Sequence, residues 1–103
     1  MYWKWHCFSS VIEGKIVGYI IGSLNSEGTY NNIKQAELNN MYILEEYRSI
    51  GIGTKLFNQL KTICIENGMQ EIKVVVDYKN IKLVNFYETN GFIKFEITLK
   101  QKI

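Results

Sequence analysis

The segment Arg48-Ser49-Ile50-Gly51-Ile52-Gly53 has the residue types and the order that most clearly suggest a binding site in this chain. It follows an apolar run, Met41 to Leu44, and leads into a helical pattern near Thr54. Glycines lack a Cβ, so an anion such as a diphosphate could approach the main chain closely, and free N–H groups at the start of a helix favour negative charge. Arg48, the only arginine, adds a fixed positive charge. The segment predicts a phosphate-binding turn, while a loop that only reverses the chain fits the same six residues.

The composition narrows the class of protein. The 103 residues predict one domain, residues 1–103, with 47% hydrophobic and 21% charged residues, as is ordinary for a globular fold. The net charge is +2 and the lysines are scattered, so no nucleic-acid partner is expected. No apolar run approaches the roughly 20 residues of a membrane span, and the first residues lack the apolar stretch of a signal peptide. We therefore expect a cytoplasmic protein without a membrane partner.

Cysteine and histidine are scarce. Cys7 and Cys64 are far apart, and His6 is the only histidine. These residues cannot build a disulfide framework, a Cys/His metal cluster or a histidine-activated nucleophile. No metal is predicted, and Cys64, on the apolar face of a predicted helix, is expected to be a core residue.

The spacing of apolar residues predicts the strands and helices on either side of the glycine segment. The order is β-β-β-α-β-α-β, an α/β fold with a mixed, mostly antiparallel sheet, a βαβ unit and two helices. The predicted strands are Phe8–Glu13, Ile16–Leu24, Glu37–Leu44, Ile72–Val76 and Phe92–Leu99, with a turn at Gly14-Lys15, a loop from Asn25 to Gln35, and helices from Ile52 to Glu66 and after an Asn80 cap. Val74-Val75-Val76 predicts a central strand buried on both faces. The glycine segment then lies at the first strand-to-helix junction of the βαβ unit.

Two motifs follow each other at the spacing of a known family. The strand that ends at Leu44 leads into Arg48-x-x-Gly51-x-Gly53, and the second helix carries Asn80-x-x-Leu83-x-x-Phe86-Tyr87-Glu88-x-x-Gly91-Phe92. Together they resemble the GNAT superfamily of acyl-CoA N-acyltransferases, whose pattern is a strand, then Arg/Gln-x-x-Gly-x-Gly/Ala opening a helix, then Asn-x-x-Ala-x-x-Phe-Tyr-Glu-x-x-Gly-Phe. The resemblance runs from about Phe8 to Phe92 and implies a GNAT-like fold.

The resemblance implies acetyl-CoA as the acetyl donor. Main-chain N–H groups of the turn would hold the CoA diphosphate, the main chain of Met41 and Ile43 would pair with the pantetheine arm, and the Asn80 side chain would contact that arm. The strand would splay from its parallel neighbour to admit the cofactor. The implied cofactor-binding residues are Met41, Ile43, Arg48, Ser49, Ile50, Gly51, Ile52, Gly53, Thr54, Asn80 and Tyr87.

The resemblance also implies two catalytic residues. Glu37 occupies the strand position where several family members place a general base, and it could act directly or through water. Tyr87 matches the family's general acid, whose hydroxyl protonates the departing thiolate or donates a hydrogen bond to it. A solvated strand glutamate and a tyrosine that only packs in the core fit the same positions. The acceptor would be an amine on a small molecule or a peptide.

The chain departs from the family pattern in three places. The family commonly opens with a strand and two helices, whereas only Met1 to Cys7 precede the first predicted strand here. The family commonly ends with two strands rather than one, and Leu83 replaces a small alanine. One sheet face is expected to lie uncovered, so we expect a homodimer covered by the last strand or by an aromatic cluster at the N-terminus. That cluster is Tyr2, Trp3 and Trp5, and its folding back onto its own sheet is the alternative.

Three functions remain open at this point. The first is an N-acetyltransferase that moves acetyl from acetyl-CoA to a primary amine by direct attack in a ternary complex. The second is a shortened CoA-binding module without competent acceptor chemistry. The third is a structural or regulatory fragment that binds no cofactor. The glycine segment favours the first two over the third, and Glu37 with Tyr87 favours the first.

Overall fold

A computed structural model describes residues 3–25 and 32–103, which form one four-stranded sheet and two helices. The elements are β1 (Trp3–Ile12), β2 (Lys15–Asn25), β3 (Gln35–Ile43), a turn of 3-10 helix (Glu45–Tyr47), α1 (Ile52–Glu66), β4 (Glu71–Val74) and α2 (Ile81–Thr89). The strand order is β1-β2-β3-β4, antiparallel except for the parallel pair β3/β4. The predicted α/β class and the βαβ unit are confirmed.

The hairpin of β1 and β2 is longer than its sequence suggested. β1 begins at Trp3 rather than Phe8, and the turn is Glu13-Gly14 rather than Gly14-Lys15, because Ile12 pairs with Lys15. Glu13 and Gly14 have φ of 50° and 77°, the two positive values that a two-residue hairpin turn needs to match the twist of its strands. Residues 26–31, most of the predicted loop, lie outside the described residues, as does Tyr2.

Helix α1 covers one face of the sheet and closes the core. Its apolar residues recur every three or four positions, and Leu56, Leu60 and Cys64 are at most 2% exposed. They pack against a buried set from the sheet and α2: Val17, Ile20, Leu24, Ala36, Leu38 and Tyr87. The core position expected for Cys64 is confirmed, and α1 has the predicted bounds. Neither α1 nor α2 is long and apolar enough to cross a membrane.

The valine run is not a central buried strand. β4 ends at Val74, lies at the edge of the sheet, and leaves Val75 71% exposed. β-Branched residues suit a strand wherever it lies in a sheet, so their run could not show how many neighbours the strand has.

The predicted last strand, Phe92–Leu99, is not formed. Residues 92–103 have no regular structure, and the apolar residues that suggested a strand are open to solvent: Ile93 80%, Phe95 83%, Ile97 88% and Leu99 88% exposed. Alternation of apolar residues predicts a strand only where a neighbouring strand bonds to it, and no described strand pairs with residues 92–99. The segment stays beside the edge of the sheet, where Lys73 Nζ lies 3.7 Å from Glu96 Oε1.

The second face of the sheet carries no helix in the described residues. Core residues Ala36 and Leu38 of β3 face α1, so strand alternation turns Glu37 to the other face. That open face also carries Tyr19 and Tyr42, whose ring centroids are 6.3 Å apart, and Trp5, which is 58% exposed. An uncovered face was expected from the sequence.

Candidate functional site

β3 and β4 separate halfway along β3. Their parallel pairing ends at Leu38 and Val74, while β3 continues to Ile43 and residues 75–77 leave the sheet. The edge of β3 from Asn39 to Ile43 therefore has no strand on its β4 side within the described residues. A parallel pair that opens in this way leaves main-chain groups available to an extended ligand.

The hydrogen-bond pattern of β2 and β3 shows which main-chain groups reach this opening. Leu44 N–H donates to Val17 C=O at 2.9 Å. Hydrogen-bonded pairs alternate along an antiparallel ladder, so Tyr42, opposite Tyr19, is bonded to β2. Met41 and Ile43, opposite Ile20 and Gly18, direct their N–H and C=O groups away from β2 and into the opening.

The glycine segment forms a turn with unusual backbone angles. Ser49 has φ of 65° and Gly51 has φ of 91°, so two left-handed residues flank the exposed Ile50. Left-handed residues in a turn direct successive N–H groups inward and make concavities that bind anions. A non-glycine residue held in this region is strained, as is common at ligand sites.

The N-terminus of α1 begins at this turn without a cap. Gly51 is the N-cap and supplies no side-chain hydrogen bond, and the first turn holds no acidic residue. Lys55 N–H donates to Gly51 C=O at 3.1 Å, which leaves the N–H groups of Ile52, Gly53 and Thr54 without intrahelical partners. Free N–H groups at the positive end of the helix dipole can bind an anion.

The missing side chain of Gly53 allows α1 to pack closely against β3 and α2. A Cβ built on Gly53 would lie 3.1 Å from Ile43 Cδ1 and 3.1 Å from Phe86 Cζ, so its empty side faces the interior between β3, α1 and α2. The sequence suggested that this glycine lets a ligand approach. Its N–H group keeps that possibility, but its missing side chain is explained by the contact of α1 with β3 and α2.

Arg48 is held against β3 by Ile43 and by Tyr42. The sequence alone did not indicate Tyr42 as part of the site. Arg48 Nε donates to Ile43 C=O at 2.8 Å, and Arg48 Cζ lies 5.5 Å from the centroid of the Tyr42 ring. The terminal guanidinium nitrogens keep their donors for a ligand, and the Ile43 carbonyl keeps a second lone pair. Tyr42 therefore positions the only arginine of the chain beside the opening. The only feature of the sequence that could have indicated this contact is that Tyr42 is aromatic and lies two residues before Leu44, the predicted end of the strand.

Asn80 lies at the start of α2 and caps it. Its Oδ1 accepts from Leu83 N–H at 3.2 Å, as its residue type predicted, so the side-chain nitrogen is the part left for another contact. α2 ends at Thr89, and Nδ2 of the following residue, Asn90, donates to Phe86 C=O at 2.9 Å.

Tyr87 is the buried aromatic residue of α2. It is 5% exposed, and its ring lies 5.3 Å, edge to face, from the rings of Phe86 and Phe92. Its hydroxyl has no hydrogen-bond partner among residues 3–25 and 32–103. Burial raises the pKa of the Tyr87 hydroxyl above its ordinary value of about 10, so the group is a protonated donor at neutral pH.

Glu37 lies on the open face, at the end of the paired part of β3. It pairs with Ser23 of β2 and Lys73 of β4, while the Lys73 ammonium turns to Glu96 instead. Next to it, the ladder of β2 and β3 shifts register, which makes Asn39 a bulge residue, and the buried Ser23 Oγ donates to Asn39 Oδ1 at 2.8 Å. Bulges often re-aim side chains at functional sites.

The arrangement combines a turn with free N–H groups, an open strand edge, a protonated tyrosine and a carboxylate. The turn joins the edge at Arg48, α2 contacts both at Phe86, and Glu37 lies on the opposite face of the sheet from Tyr87. Within the described ranges no group of three or more His, Cys, Asp or Glu residues could hold a metal ion. The turn, the open strand edge and the two side chains can together support proton transfer and main-chain hydrogen bonding around an extended anionic ligand.

Comparison with known proteins identifies the family. An N-alpha-acetyltransferase from Sulfurisphaera tokodaii is 28% identical over 98 residues, covering 87% of this chain and 58% of its own length. A provisionally assigned acetyl transferase from Pyrococcus furiosus has a similar structure, with a TM-score of 0.88, 21% identity, and coverage of 97% of this chain and 66% of its own. An aminoglycoside N-acetyltransferase determined with CoA superposes with a TM-score of 0.82 and 16% identity, covering 94% of this chain and 74% of its own.

The chain thus spans about three fifths of the length of the curated relative. The two structural likenesses establish the fold. The family model described as acetyltransferase (GNAT) family matches residues 2–92, nearly the whole chain, and both sequence motifs and the split of β3 from β4 lie within that match. The chain belongs to the GNAT acetyltransferase family.

Proposed function

We propose that this chain is an N-acetyltransferase that binds acetyl-CoA and transfers its acetyl group to a primary amine by direct attack in a ternary complex. One observation carries the proposal: the uncapped N-terminus of α1 lies beside the part of β3 that has separated from β4. A carrier with a diphosphate at one end and an extended amide-containing arm at the other matches both features. CoA has that chemistry, and one structural relative was determined with it.

In this proposal each part of CoA has a partner. The diphosphate binds the N–H groups of the turn from Ser49 to Thr54 and the free donors of Arg48. The pantetheine arm pairs with the main chain of Met41 and Ile43, with the Asn80 side-chain nitrogen near it. The Met41 N–H then polarises the thioester carbonyl, as main-chain donors do for developing oxyanions.

The catalytic step requires two proton transfers. Glu37, on the open face, accepts the proton of the attacking amine directly or through water, and Tyr87, on the helix side, donates to the departing thiolate. The raised pKa of the buried Tyr87 hydroxyl supports the second role, because a donor must still hold its proton when the thiolate forms. The acceptor is an amine on a small molecule or a peptide, classes that the names of the relatives include.

Calorimetry and a thiol-release assay test the proposal together. We expect heat of binding with acetyl-CoA, and release of free CoA thiol when an aminoglycoside, a polyamine or a peptide with a free N-terminus is added. Binding without thiol release for any amine would favour the alternative, a shortened CoA-binding module without acceptor chemistry. No binding of acetyl-CoA would contradict both.

The diphosphate assignment has its own test in Thr54→Pro. Thr54 is exposed and lies in the first turn of α1, where proline is tolerated because its missing N–H has no intrahelical partner. We expect about a ten-fold weaker affinity for acetyl-CoA, the cost of one charge-assisted hydrogen bond, with an unchanged melting temperature. Thr54→Ala is the matched control, since it removes the side chain and keeps the N–H. Equal affinity of the two variants would contradict the assignment.

We also propose a homodimer. Its support is the exposed apolar row of residues 93–99 beside the free edge of β4, together with the exposed Trp5. Sedimentation at micromolar concentration should give twice the 12.1 kDa mass of the chain, and Phe95→Lys should reduce it to a monomer. A wild-type species of 12.1 kDa would contradict the dimer. The cytoplasmic location remains a sequence-based prediction.

A further inference from the structure

Ser23 of β2 is a polar residue in a buried position. It is 2% exposed, and no other serine, threonine, asparagine, glutamine or charged residue of the described ranges is buried to this degree. It pairs with Trp5 of β1 and with Glu37 of β3, so its side chain lies on the open face of the sheet, beside Glu37. A buried hydroxyl without a hydrogen-bond partner costs free energy. The partner of this hydroxyl is Asn39, because Ser23 Oγ donates to Asn39 Oδ1 at 2.8 Å.

Asn39 is the extra residue of the bulge in β3. Leu38 lies opposite Gly22, and Asn40 lies opposite Ile21, the adjacent residue of β2, so no residue of β2 is left to pair with Asn39. A bulge residue is unpaired in the ladder, and the ladder alone does not hold it in place. The hydrogen bond from Ser23 therefore ties Asn39 to the neighbouring strand.

The bulge changes which main-chain groups of β3 face the side of β4. In a regular strand every second residue directs its N–H and C=O groups to the same side. Met41 and Ile43 face the opening and Asn40 faces β2, so the nearest residue before the bulge that faces β4 is Leu38. The step from Leu38 to Met41 is three residues, whereas β4 repeats every two, and the parallel ladder cannot continue past the bulge. The pairing of β3 with β4 ends at Leu38 and Val74, as this argument requires.

The bulge also sets the face on which the carboxylate lies. Glu37 and Tyr42 are five positions apart and would lie on opposite faces of a regular strand. In β3 both lie on the open face, because the bulge adds one residue between them. The position of the Glu37 carboxylate relative to the Met41 N–H therefore depends on the geometry at Asn39.

We propose that Ser23 is a positioning residue for acetyl transfer: its buried hydroxyl holds Asn39 and thereby fixes the bulge that sets Glu37 relative to the Met41 N–H. The inference rests on the proposed function, in which Glu37 accepts the proton of the amine and Met41 polarises the thioester carbonyl. Ser23 itself contacts neither the carrier nor the amine. Small displacements of reacting groups cost large factors in rate, so loss of this hydrogen bond lowers the rate by reducing the fraction of chains in the productive geometry.

A double-mutant cycle on the turnover number tests the inference. Ser23→Ala and Asn39→Ala should each lower the turnover number by about three- to ten-fold, the factor that corresponds to the net free energy of one hydrogen bond. The double variant should lose no more than either single variant, since both substitutions remove the same contact. The affinity for acetyl-CoA, measured by calorimetry, should stay within about two-fold, because the turn from Ser49 to Thr54 is untouched. The kinetics are measured well below the melting temperature of each variant, so unfolding does not enter the turnover number.

Asn40→Ala is the matched control. Asn40 is the next residue of β3, is exposed, and contacts the Tyr19 hydroxyl at 3.4 Å instead of Ser23, so its variant should keep the wild-type turnover number. Wild-type turnover in Ser23→Ala, losses that multiply in the double variant, or an equal loss in Asn40→Ala would overturn this inference. Each of these outcomes would leave the proposed function standing, because the wild-type chain would still transfer acetyl. Absence of acetyl transfer by the wild type would overturn the proposed function and this inference with it.

Discussion

Replacing Tyr87 by phenylalanine should lower the turnover number of acetyl transfer by about 100-fold, the lower end of the range for a lost general acid, and leave the affinity for acetyl-CoA within about two-fold. The substitution removes the hydroxyl and keeps the ring, whose edge-to-face contacts with Phe86 and Phe92 hold α2 in place. Because the hydroxyl has no hydrogen-bond partner among the described residues, its removal should not reduce the melting temperature.

Tyr78→Phe is the control for Tyr87→Phe. Tyr78 is 80% exposed just before α2, so removal of its hydroxyl should change neither turnover nor stability. Steady-state kinetics with acetyl-CoA and the best amine acceptor, beside thermal melts, measures both variants. A Tyr87→Phe variant with wild-type turnover would exclude this hydroxyl as the acid.

The pH profile gives a second readout of the same group. Burial raises the pKa of Tyr87 above about 10, so the hydroxyl keeps its proton throughout the neutral and mildly alkaline range. The turnover number should therefore show no loss assignable to Tyr87 as pH rises to about 10, and should fall only above that value. An alkaline loss of activity below pH 9 that disappears in Tyr87→Phe would show that the hydroxyl loses its proton below pH 10, and would contradict the raised pKa rather than the role of Tyr87 as the acid.

Local patterns predicted most of the fold. The apolar period of α1, with Gly51 before it and Asn67-Gly68 after it, is encoded within the helix itself, so its bounds were correct. The cap of α2 by Asn80 is local in the same way. The predictions of a buried central strand at Val74-Val75-Val76 and of a last strand at residues 92–99 were wrong for a common reason. Both segments are strand-like in composition, but a strand needs neighbours, and the number of neighbours depends on residues distant in the chain.

The candidate site likewise has parts that the local sequence predicts and parts that depend on distant residues. The turn and its free N–H groups follow from the order of glycines ahead of a helix, and the opening beside β3 was expected from the family resemblance. The contact of Arg48 with Tyr42 and Ile43 was not predictable, because it depends on how the 3-10 turn at Glu45–Tyr47 folds the arginine back onto β3. The packing role of Gly53 likewise depends on the distance from α1 to Phe86 of α2.

Gly53→Glu should unfold the chain and thereby remove both binding and activity. The empty side of Gly53 faces Ile43 and Phe86, so a glutamate there would displace core side chains and place a carboxylate in an apolar contact. We expect a loss of about 3–5 kcal/mol in the free energy of unfolding, a large part of the total for a domain of this size. Urea denaturation followed by circular dichroism measures it.

Two further variants separate this effect from a blocked site. Gly53→Ala adds one methyl group about 3.1 Å from flexible side-chain ends, while the gain in helix propensity over glycine is about 1 kcal/mol, so its net effect on stability should be within about 1 kcal/mol of zero. Asn58→Glu adds a carboxylate at an exposed position of the same helix and should leave the urea midpoint near that of the wild type. A Gly53→Glu chain that keeps the wild-type urea midpoint and loses only acetyl-CoA binding would contradict the packing role. That outcome would support the role that the sequence suggested for Gly53, which is to let a ligand approach the main chain. A variant that is still folded but does not bind acetyl-CoA would have to be blocked at the turn itself.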